Sequence, residues 1–527
     1  MNKKQTKSTG SSAEKNIANK IIDTITKNCE LVHNEQNEAF AIISSGGVRK
    51  VFSINSTSFN EFISNIYYVE QKSALSEISL KTALSTLSGK AKYEGSKCKI
   101  YTRIAKTDKG YWLDLCNDKW EAILINESGW QVLSGEDIPL FFRSNSMQTI
   151  PTPVQGGSIK GLWSLVNIPD DYRLMIVAWL LECLREDTPH VVLELVGEQG
   201  SAKSTTQKLL KMLIDPNAAN LRSAPKNVED VWIGANNCHI VSFENLSFLN
   251  PSYQDALCVL ATGGAHATRT LYTNKEEIII ELRKPIMLNG IAVIVTAQDL
   301  LDRCLHIELP RVEKRLLSSD VEQSFANIRS NLLGGLLDQF VEVLNYLPTV
   351  TIDDDNKPRM LDFAYLGEAL YQTNYHDAGA FLEQYKNMRQ KGVHRTIEAF
   401  PIGVALTNFL HNNPHGWSGQ MIELLGILNQ YKAQGENSWP KSGKAMGDAL
   451  RRLAPALRTL GFDCSSDPKA SGSIVWHIKP IVDKVLIQSP ASPTSPETFE
   501  DELGHEGHEG HLLDSFTGIS DENDYSN

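Results

Sequence analysis

Residues suited to phosphate chemistry stand together in one glycine-rich run: Gly197, Glu198, Gln199, Gly200, Ser201, Ala202, Lys203, Ser204 and Thr205. A phosphate chain needs backbone N–H groups aimed into a concavity, a helix N-terminus, one lysine and a hydroxyl for magnesium. In such a loop Gly197 and Gly200 permit the tight backbone, Lys203 reaches the β- and γ-phosphates, and Ser204 ligates Mg²⁺. The expected ligands are therefore ATP and Mg²⁺. The run departs from G-x-x-x-x-G-K-[ST] at Ala202, where a second glycine is expected. Alanine keeps the close approach provided its φ is negative.

A second carboxylate-bearing strand must hold the magnesium water shell. Glu244, 41 residues after Lys203, follows the apolar run HIVSF and fits that role. Asn245 stands next, where many ATPases carry a second acid, so either Glu244 serves both tasks or another acid helps. Asn289 ends the apolar run PIMLN. Its amide suits a sensor that orients the attacking water; an Asn-Gly turn is the plain alternative. Arg303 comes 14 residues later beside Asp302. It is either an arginine that stabilises charge on a neighbouring subunit's ATP or a surface partner of Asp302.

These residues require alternating strands and helices. HVVLELVG, HIVSF, PIMLNG and CLHIELP read as short buried strands with helical stretches between them, which indicates a parallel sheet and an α/β fold. Between Glu244 and Asn289, TRTLYT and EIIIEL flank the polar NKE and read as a β-hairpin. Its tip is expected to carry Asn274 and Lys275, with Arg269, Arg283 and Lys284 at its base, and Lys275 is a candidate contact to a nucleic-acid backbone. The alternative is a solvated hairpin.

The expected organisation is a flexible segment 1–35, with residues 1–15 polar and disordered. A small α/β domain at 36–155 follows, closed by a linker at 151–157. Then come the phosphate-binding core at 156–319, helices at 320–395, a compact unit at 396–481 and an acidic disordered tail at 482–527. The unit at 396–481 reads as a winged helix whose basic helix carries Lys441, Lys444, Arg451, Arg452 and Arg458, suited to DNA or to plain solvation. The tail contains His505, His508 and His511 in HEGHEGH, a weak metal-binding signal in a low-complexity segment.

At 527 residues, with 41% hydrophobic and 22% charged residues, the chain has ample material for a large core. Ten acidic and no basic residues lie from Val485 onward, so the rest carries only −2 of the −12 net charge. General polyanion stickiness is disfavoured, but local basic faces remain possible. The eight scattered cysteines form no C-x-x-C pair, which argues against a disulfide framework and a cysteine zinc site. No apolar run reaches the roughly 18–20 residues of a membrane helix, and the start is not a secretory signal. A cytoplasmic location is expected.

GEQGSAKST, FENLS, TRTLYTN, KPIMLNGI and DLLDRCL stand in that order over Gly197 to Leu305. Together they resemble the superfamily 3 type AAA+ helicases of phages, plasmids and integrated elements, above all the poxvirus- and satellite-phage-type primase-helicases. Such proteins usually show DNLS where this chain has Glu244-Asn245-Leu246-Ser247. The resemblance implies an AAA+ P-loop ATPase core in a homohexameric ring that hydrolyses ATP between subunits and translocates on single-stranded DNA. It implies that Lys203 and Ser204 bind ATP–Mg²⁺, that Glu244 is the Walker B acid, Asn289 sensor 1 and Arg303 the arginine finger. Lys275 is then the hairpin contact in the pore. The N-terminal region is too short for a primase and its Asp114 and Asp118 form no paired D-x-D site, so a separate priming partner is expected. The expected function is ATP-driven unwinding for replication of a mobile element. The alternatives are a DNA-stimulated ATPase switch that remodels DNA without unwinding, and a nucleotide-bound scaffold.

Overall fold

Period-two and period-3.6 patterns divide the first hundred residues cleanly. The computed structural model describes residues 6–269, 277–398, 400–432, 439–467 and 474–481. Helix α1 (Thr6–Asn28) leads into strands β1 (Glu30–His33), β2 (Ala39–Ser45) and β3 (Val48–Ser53). Helices α2 (Thr57–Gln71) and α3 (Glu77–Tyr93) and the short β4 (Ser96–Lys97) follow. The sheet order is β3-β2-β1-β4. The expected flexible segment 1–35 is not observed from Thr6 onward. Ile21 and Ile25 of α1, with Cys29 just past its end, continue one stripe at a spacing of four and are buried with Ala83, Leu87 and Ala91 of α3.

Strands β5 (Ile104–Thr107), β6 (Gly110–Asp114), β7 (Ala122–Asn126) and β8 (Gly129–Leu133) form an antiparallel meander. One face of the meander belongs to the main core of the molecule, where Tyr111 and Ile125 are buried with residues beyond position 159. The expected break at residue 155 therefore does not separate two cores.

The central sheet is built by β9, β10, β13 and β14. After α4 (Arg173–Glu182), β9 (Val192–Val196) leads into α5 (Lys203–Ile214). Then come α6 (Val228–Asn236), β10 (Val241–Leu246), α7 (Pro251–Thr262) and the hairpin β11 (Gly264–Arg269) and β12 (Glu277–Leu282). Strand β13 (Ile286–Gly290), the short α8 (Gln298–Leu301) and β14 (Cys304–Glu308) complete it. The order is β10-β13-β9-β14, all parallel. A parallel bridge from Arg222 to Phe243 adds to its outer edge. Strand β13 thus lies between the strand that feeds the glycine-rich loop and the strand that carries Glu244. These strands are mainly apolar because both faces are covered. Glu194, fully buried in β9, accepts from the backbone N–H of Ile294 (2.7 Å) and Val295 (3.0 Å) and pairs with His306 Nδ1 of β14 at 2.6 Å.

Helices α9 (Ser318–Tyr346), α10 (Leu361–Thr373) and α11 (Ala380–Glu398) fill the expected helical region. The expected linker at 151–157 is instead packed on α9. Trp130 Nε1 donates to Asp338 Oδ1 at 2.7 Å, the Val154 N–H bonds Ser330 O at 3.1 Å, and a Cβ on Gly157 would fall 2.2 Å from Asn331 O. The last unit runs α12 (Pro401–Asn412), β15 (Trp417–Gln420), α13 (Met421–Leu428), α14 (Gly443–Thr459), β16 (Phe462–Ser466) and β17 (Val475–Pro480). Its antiparallel sheet has the order β15-β17-β16, over a core including Leu450, Leu453, Trp439 and Trp476. No described helix is long and apolar enough to cross a membrane.

Candidate functional site

The glycine-rich run bridges the C-terminal end of β9 and the start of α5, so the loop sits where the helix presents its unpaired N–H groups. Gly197 is required by close approach: a Cβ there would fall 2.6 Å from Leu309 O and 2.8 Å from Ser201 Oγ. Ala202 lies at φ +56°, in the left-handed region that favours glycine. The condition of a negative φ is therefore not met; the loop keeps its glycine-type backbone and the alanine adopts it with strain. Glu198 and Gln199 are exposed, Ser201 is buried, and Ser204 and Thr205 are half-buried on the first turn of α5.

Lys203 carries the strongest signal. It is 8% exposed, and Nζ donates to Gly197 O at 2.7 Å, Glu198 O at 2.8 Å and Ser201 Oγ at 3.3 Å. Among the described residues no carboxylate pairs with it. Burial lowers its pKa from the ordinary lysine value. A buried ammonium held only by neutral oxygens is a site for an anion, so the residues fit a phosphate group.

Glu244 and Asn289 meet beside the loop through a β-bulge. Phe243 pairs with Leu288 and Leu246 with Gly290, so Glu244 and Asn245 together oppose Asn289. Asn245 takes φ +53°, and its N–H donates to Asn289 Oδ1 at 2.9 Å. A bulge of this kind re-aims a side chain at a strand end, and Glu244, half-buried, follows it with no partner for its carboxylate among the described residues. Asn289 is fully buried and donates from Nδ2 to Gln207 Oε1. Its amide thus braces the bulge rather than standing free to orient water.

Sequence reasoning missed Gln207 and Asn167. Gln207 Nε2 contacts Ser242 Oγ (2.8 Å), Phe243 O (3.0 Å) and Met287 O (3.3 Å), which ties the lysine-bearing helix to both neighbouring strands. Asn167 Nδ2 donates to Ser201 O at 3.0 Å and Pro310 O at 2.6 Å, and its N–H reaches Thr206 Oγ1 at 3.1 Å. Only the position of Gln207 one helical turn after Lys203 hinted at its role; Asn167 left no local signal.

Arg303 lies at the opposite end of the sheet. Its carbonyl accepts from Val192 N–H at 2.9 Å, at the start of β9, whereas the loop follows Val196. At about 3.3 Å per residue the strand alone spans roughly 13 Å. The side chain is 12% exposed and pairs with Asp299 at 2.7 Å; Asp302 pairs instead with Arg389 at 2.7 Å. The expected Asp302–Arg303 partnership is thus replaced by one at helical spacing.

The candidate DNA contacts divide. Lys275 and Asn274 lie outside the described residues, as do His505, His508 and His511. The hairpin pairs Gly264 with Leu282 and Arg269 with Glu277, so Arg269 borders the turn and not the base as expected. Lys284 is 8% exposed, with its pKa lowered by burial, so a backbone contact there is corrected to a core position. In the last unit Lys444, Arg451 and Arg452 are exposed on α14. Arg451 is engaged with Asp448 at 2.7 Å and Trp476 at 5.0 Å from the ring centre, whereas Lys444 and Arg452 have no partner among the described residues.

Residues 159–387 match the family described as actinomycete integrative conjugative element replication protein, and residues 402–492 match the AICE RepA C-terminal domain. No match was found among curated proteins. Two apo structures of the NrS-1 C-terminal region are similar. The A form has 12% identity and a TM-score of 0.37, covering 87% of this chain and 98% of that one. A second has 13% identity and a TM-score of 0.36 with the same coverage. The family matches support a replication protein of a mobile element.

Proposed function

We propose that this replication protein is an ATP-dependent DNA helicase that translocates as a ring, with an AAA+ P-loop core and a winged-helix C-terminal unit. The observation that carries the reading is the buried, carboxylate-free Lys203 in a strand–loop–helix phosphate cradle. Lys203 and the loop amides bind the phosphates of ATP, while Ser204 and Glu244 hold Mg²⁺. The metal, when bound, offsets phosphate charge and orients the phosphoryl group. The β10-β13-β9-β14 order supports the AAA+ assignment, because one strand separates the loop strand from the carboxylate strand.

Arg303 sits too far along the sheet to serve its own loop, which supports a finger supplied to the next subunit and hence a closed head-to-tail ring, of hexameric size by resemblance. The hairpin β11–β12 would face single-stranded DNA through Lys275 and Arg269. The helix–strand–helix–helix–strand–strand order of the last unit supports a winged helix, with Lys444 and Arg452 free for duplex backbone. Priming is left to a partner, and the protein works in the cytoplasm with the element's DNA.

A second reading, a DNA-stimulated ATPase switch, draws on one observation. The Asn245 N–H and the Asn289 amide are engaged with each other, leaving Glu244 alone to activate water. Strand displacement on a forked substrate separates the two: the helicase releases the strand, the switch hydrolyses ATP without release. Glu244→Gln should retain ATP binding and abolish both turnover and displacement, and Asn245→Ala should be milder. If Asn245→Ala proves the more damaging, the acid is wrongly assigned.

A further inference from the structure

We infer that Arg315 is a second phosphate-binding cation of the loop, acting within its own subunit and distinguishing a triphosphate from a diphosphate. The inference rests on the nucleotide reading of the Gly197–Thr205 run and extends it to a segment that no motif marked.

After β14 the chain passes back across the mouth of the loop. Leu309 N–H bonds Val196 O at 2.8 Å, and Val312 N–H bonds Gly200 O at 3.3 Å. Asn167 fastens Pro310 and Ser201 together through one amide. This strap holds Arg311, Lys314 and Arg315 within five residues, with Glu313 as its one acid. The guanidinium of Arg315 reaches the loop: a Cβ built on Gly200 would fall 2.9 Å from its Nη2. Gly200 is at φ +90°, so the position takes glycine on two counts, conformation and space.

The arginine is exposed and has no hydrogen bond or ion pair among the described residues, unlike Arg303, Arg359, Arg389 and Arg395, each of which meets a carboxylate. A planar guanidinium next to Gly200 of the loop is suited to bidentate contact with terminal phosphate oxygens. A triphosphate carries more charge than one lysine and one Mg²⁺ offset. Arg315, beside Gly200, supplies a further charge.

The strap leads directly into α9 at Ser318, whose first turns are tied to the lysine-bearing helix by Lys208–Glu322 at 2.6 Å. Contact at Arg315 therefore links the terminal phosphate to the position of the helical region.

The test measures binding of fluorescent ATP and ADP analogues with Mg²⁺ to the full chain, for wild type, Arg315→Ala, Arg315→Lys, Arg311→Ala and Lys203→Ala. Loss of a charge-assisted contact should weaken the triphosphate about tenfold or more. The diphosphate should change by about twofold or less, because the contact is to the terminal group. Arg315→Lys should recover only part of the loss, and Arg311→Ala should match wild type. Thermal unfolding without nucleotide should be unchanged in Arg315→Ala. Equal weakening of both nucleotides, or none while Lys203→Ala abolishes binding, would overturn the role of Arg315 and leave the loop reading standing. Wild type that binds neither nucleotide, or Lys203→Ala that binds as well as wild type, would instead remove the nucleotide reading and this inference with it.

Discussion

The two ends of the central parallel sheet are wired in opposite ways. At the C-terminal end, Lys203 is buried against carbonyls and a hydroxyl with no carboxylate in contact among the described residues, and Arg315 stands open on the loop. At the N-terminal end the cations around Asp215 and Asp299 are matched, although Lys284 is buried there with no ion pair among the described residues. Asp215 takes Lys211 at 2.8 Å and Arg103 at 3.1 Å, and also accepts from the N–H groups of His239 and Ile240 at 2.9 Å each. Arg303 and Arg359 share Asp299. Both ends bury charge at similar depth, so burial alone does not mark a ligand site. Nor does a missing counter-charge alone, since Lys284 also lacks one; what marks the loop is an unpaired lysine set in a glycine-rich turn at a helix N-terminus.

The largest expected effect follows from that contrast. Lys203→Ala should abolish ATP turnover, because no other side chain of the loop replaces its charge at the phosphates. The same change should leave nucleotide-free stability within about 1 kcal/mol, since it removes an unpaired buried ion rather than half of a pair. Turnover within about twofold of wild type would sink the phosphate-loop assignment. A large loss of stability would mean that its bonds to Gly197 O and Glu198 O are structural.

Arg303 is the place where the contrast between the two ends can break. By pairing with Asp299 it looks structural; in the proposed ring it would serve a neighbour's nucleotide. A finger in trans is worth about 10³–10⁵ in rate in other NTPases, so Arg303→Ala should bind ATP and turn it over very slowly. Mixed with Lys203→Ala, the two inactive proteins should regain part of the activity, because some intact loops then face intact arginines. Mixed rings shown to form without any restored turnover would return Arg303 to its ion pair with Asp299.

The strand–loop–helix setting of the glycine-rich run, the Glu244 strand and the alternation of strands and helices were legible in the sequence because each is local: a run of residues, its flanks and its period. The hairpin was legible for the same reason, and in the last unit so were two helices and the closing strand; WSGQ, which reads as helical, is strand β15. What the sequence hid is non-local. Gln207, Asn167 and Arg315 act through partners 34 to 143 residues away or, for Arg315, 115 residues away at Gly200, and no spacing reveals them. Lys284 reads as a surface cation because its neighbours are charged, yet it is buried at the start of β13, where its N–H bonds Leu260 O. Segment 1–35 reads as flexible although NKIIDTITKNCEL has helical spacing, because its apolar stripe is thin and the surfaces that bury it come from β2, α2 and α3.

At the matched end, Asp215→Asn should cost about 3–5 kcal/mol of stability, because it leaves Arg103 and Lys211 buried without their charge partner. Burial raises the Asp215 pKa, but Lys211 and Arg103 outweigh it and hold the carboxyl well below its ordinary value. Wild type should therefore hold this stability above the ordinary carboxylate range and lose it as pH falls below that range, whereas the variant should lack that part of the acid dependence. Denaturant unfolding at neutral and acidic pH measures both. A loss of less than about 1 kcal/mol would show that the two ends do not differ in the way their pairing indicates.

The smallest effect sharpens the comparison most, because it separates strain from charge at the ligand end. Ala202 holds φ +56° at the residue before Lys203, a conformation that costs an L-residue roughly 1–2 kcal/mol. Glycine would remove that cost and add about 0.4–1 kcal/mol of chain entropy to the unfolded state. Ala202→Gly should thus stabilise the protein by about 1 kcal/mol or less, a direction opposite to that of most substitutions. Glycine takes the same left-handed backbone as Ala202 does, so affinity for ATP should change by less than about threefold, within 1 kcal/mol. Denaturant unfolding and nucleotide titration of the variant read the two quantities separately. Destabilisation by glycine would mean that the alanine methyl packs favourably enough to outweigh its backbone. A large gain in affinity would mean that the strained alanine, and not the missing counter-charge on Lys203, limits how tightly this end of the sheet holds its ligand.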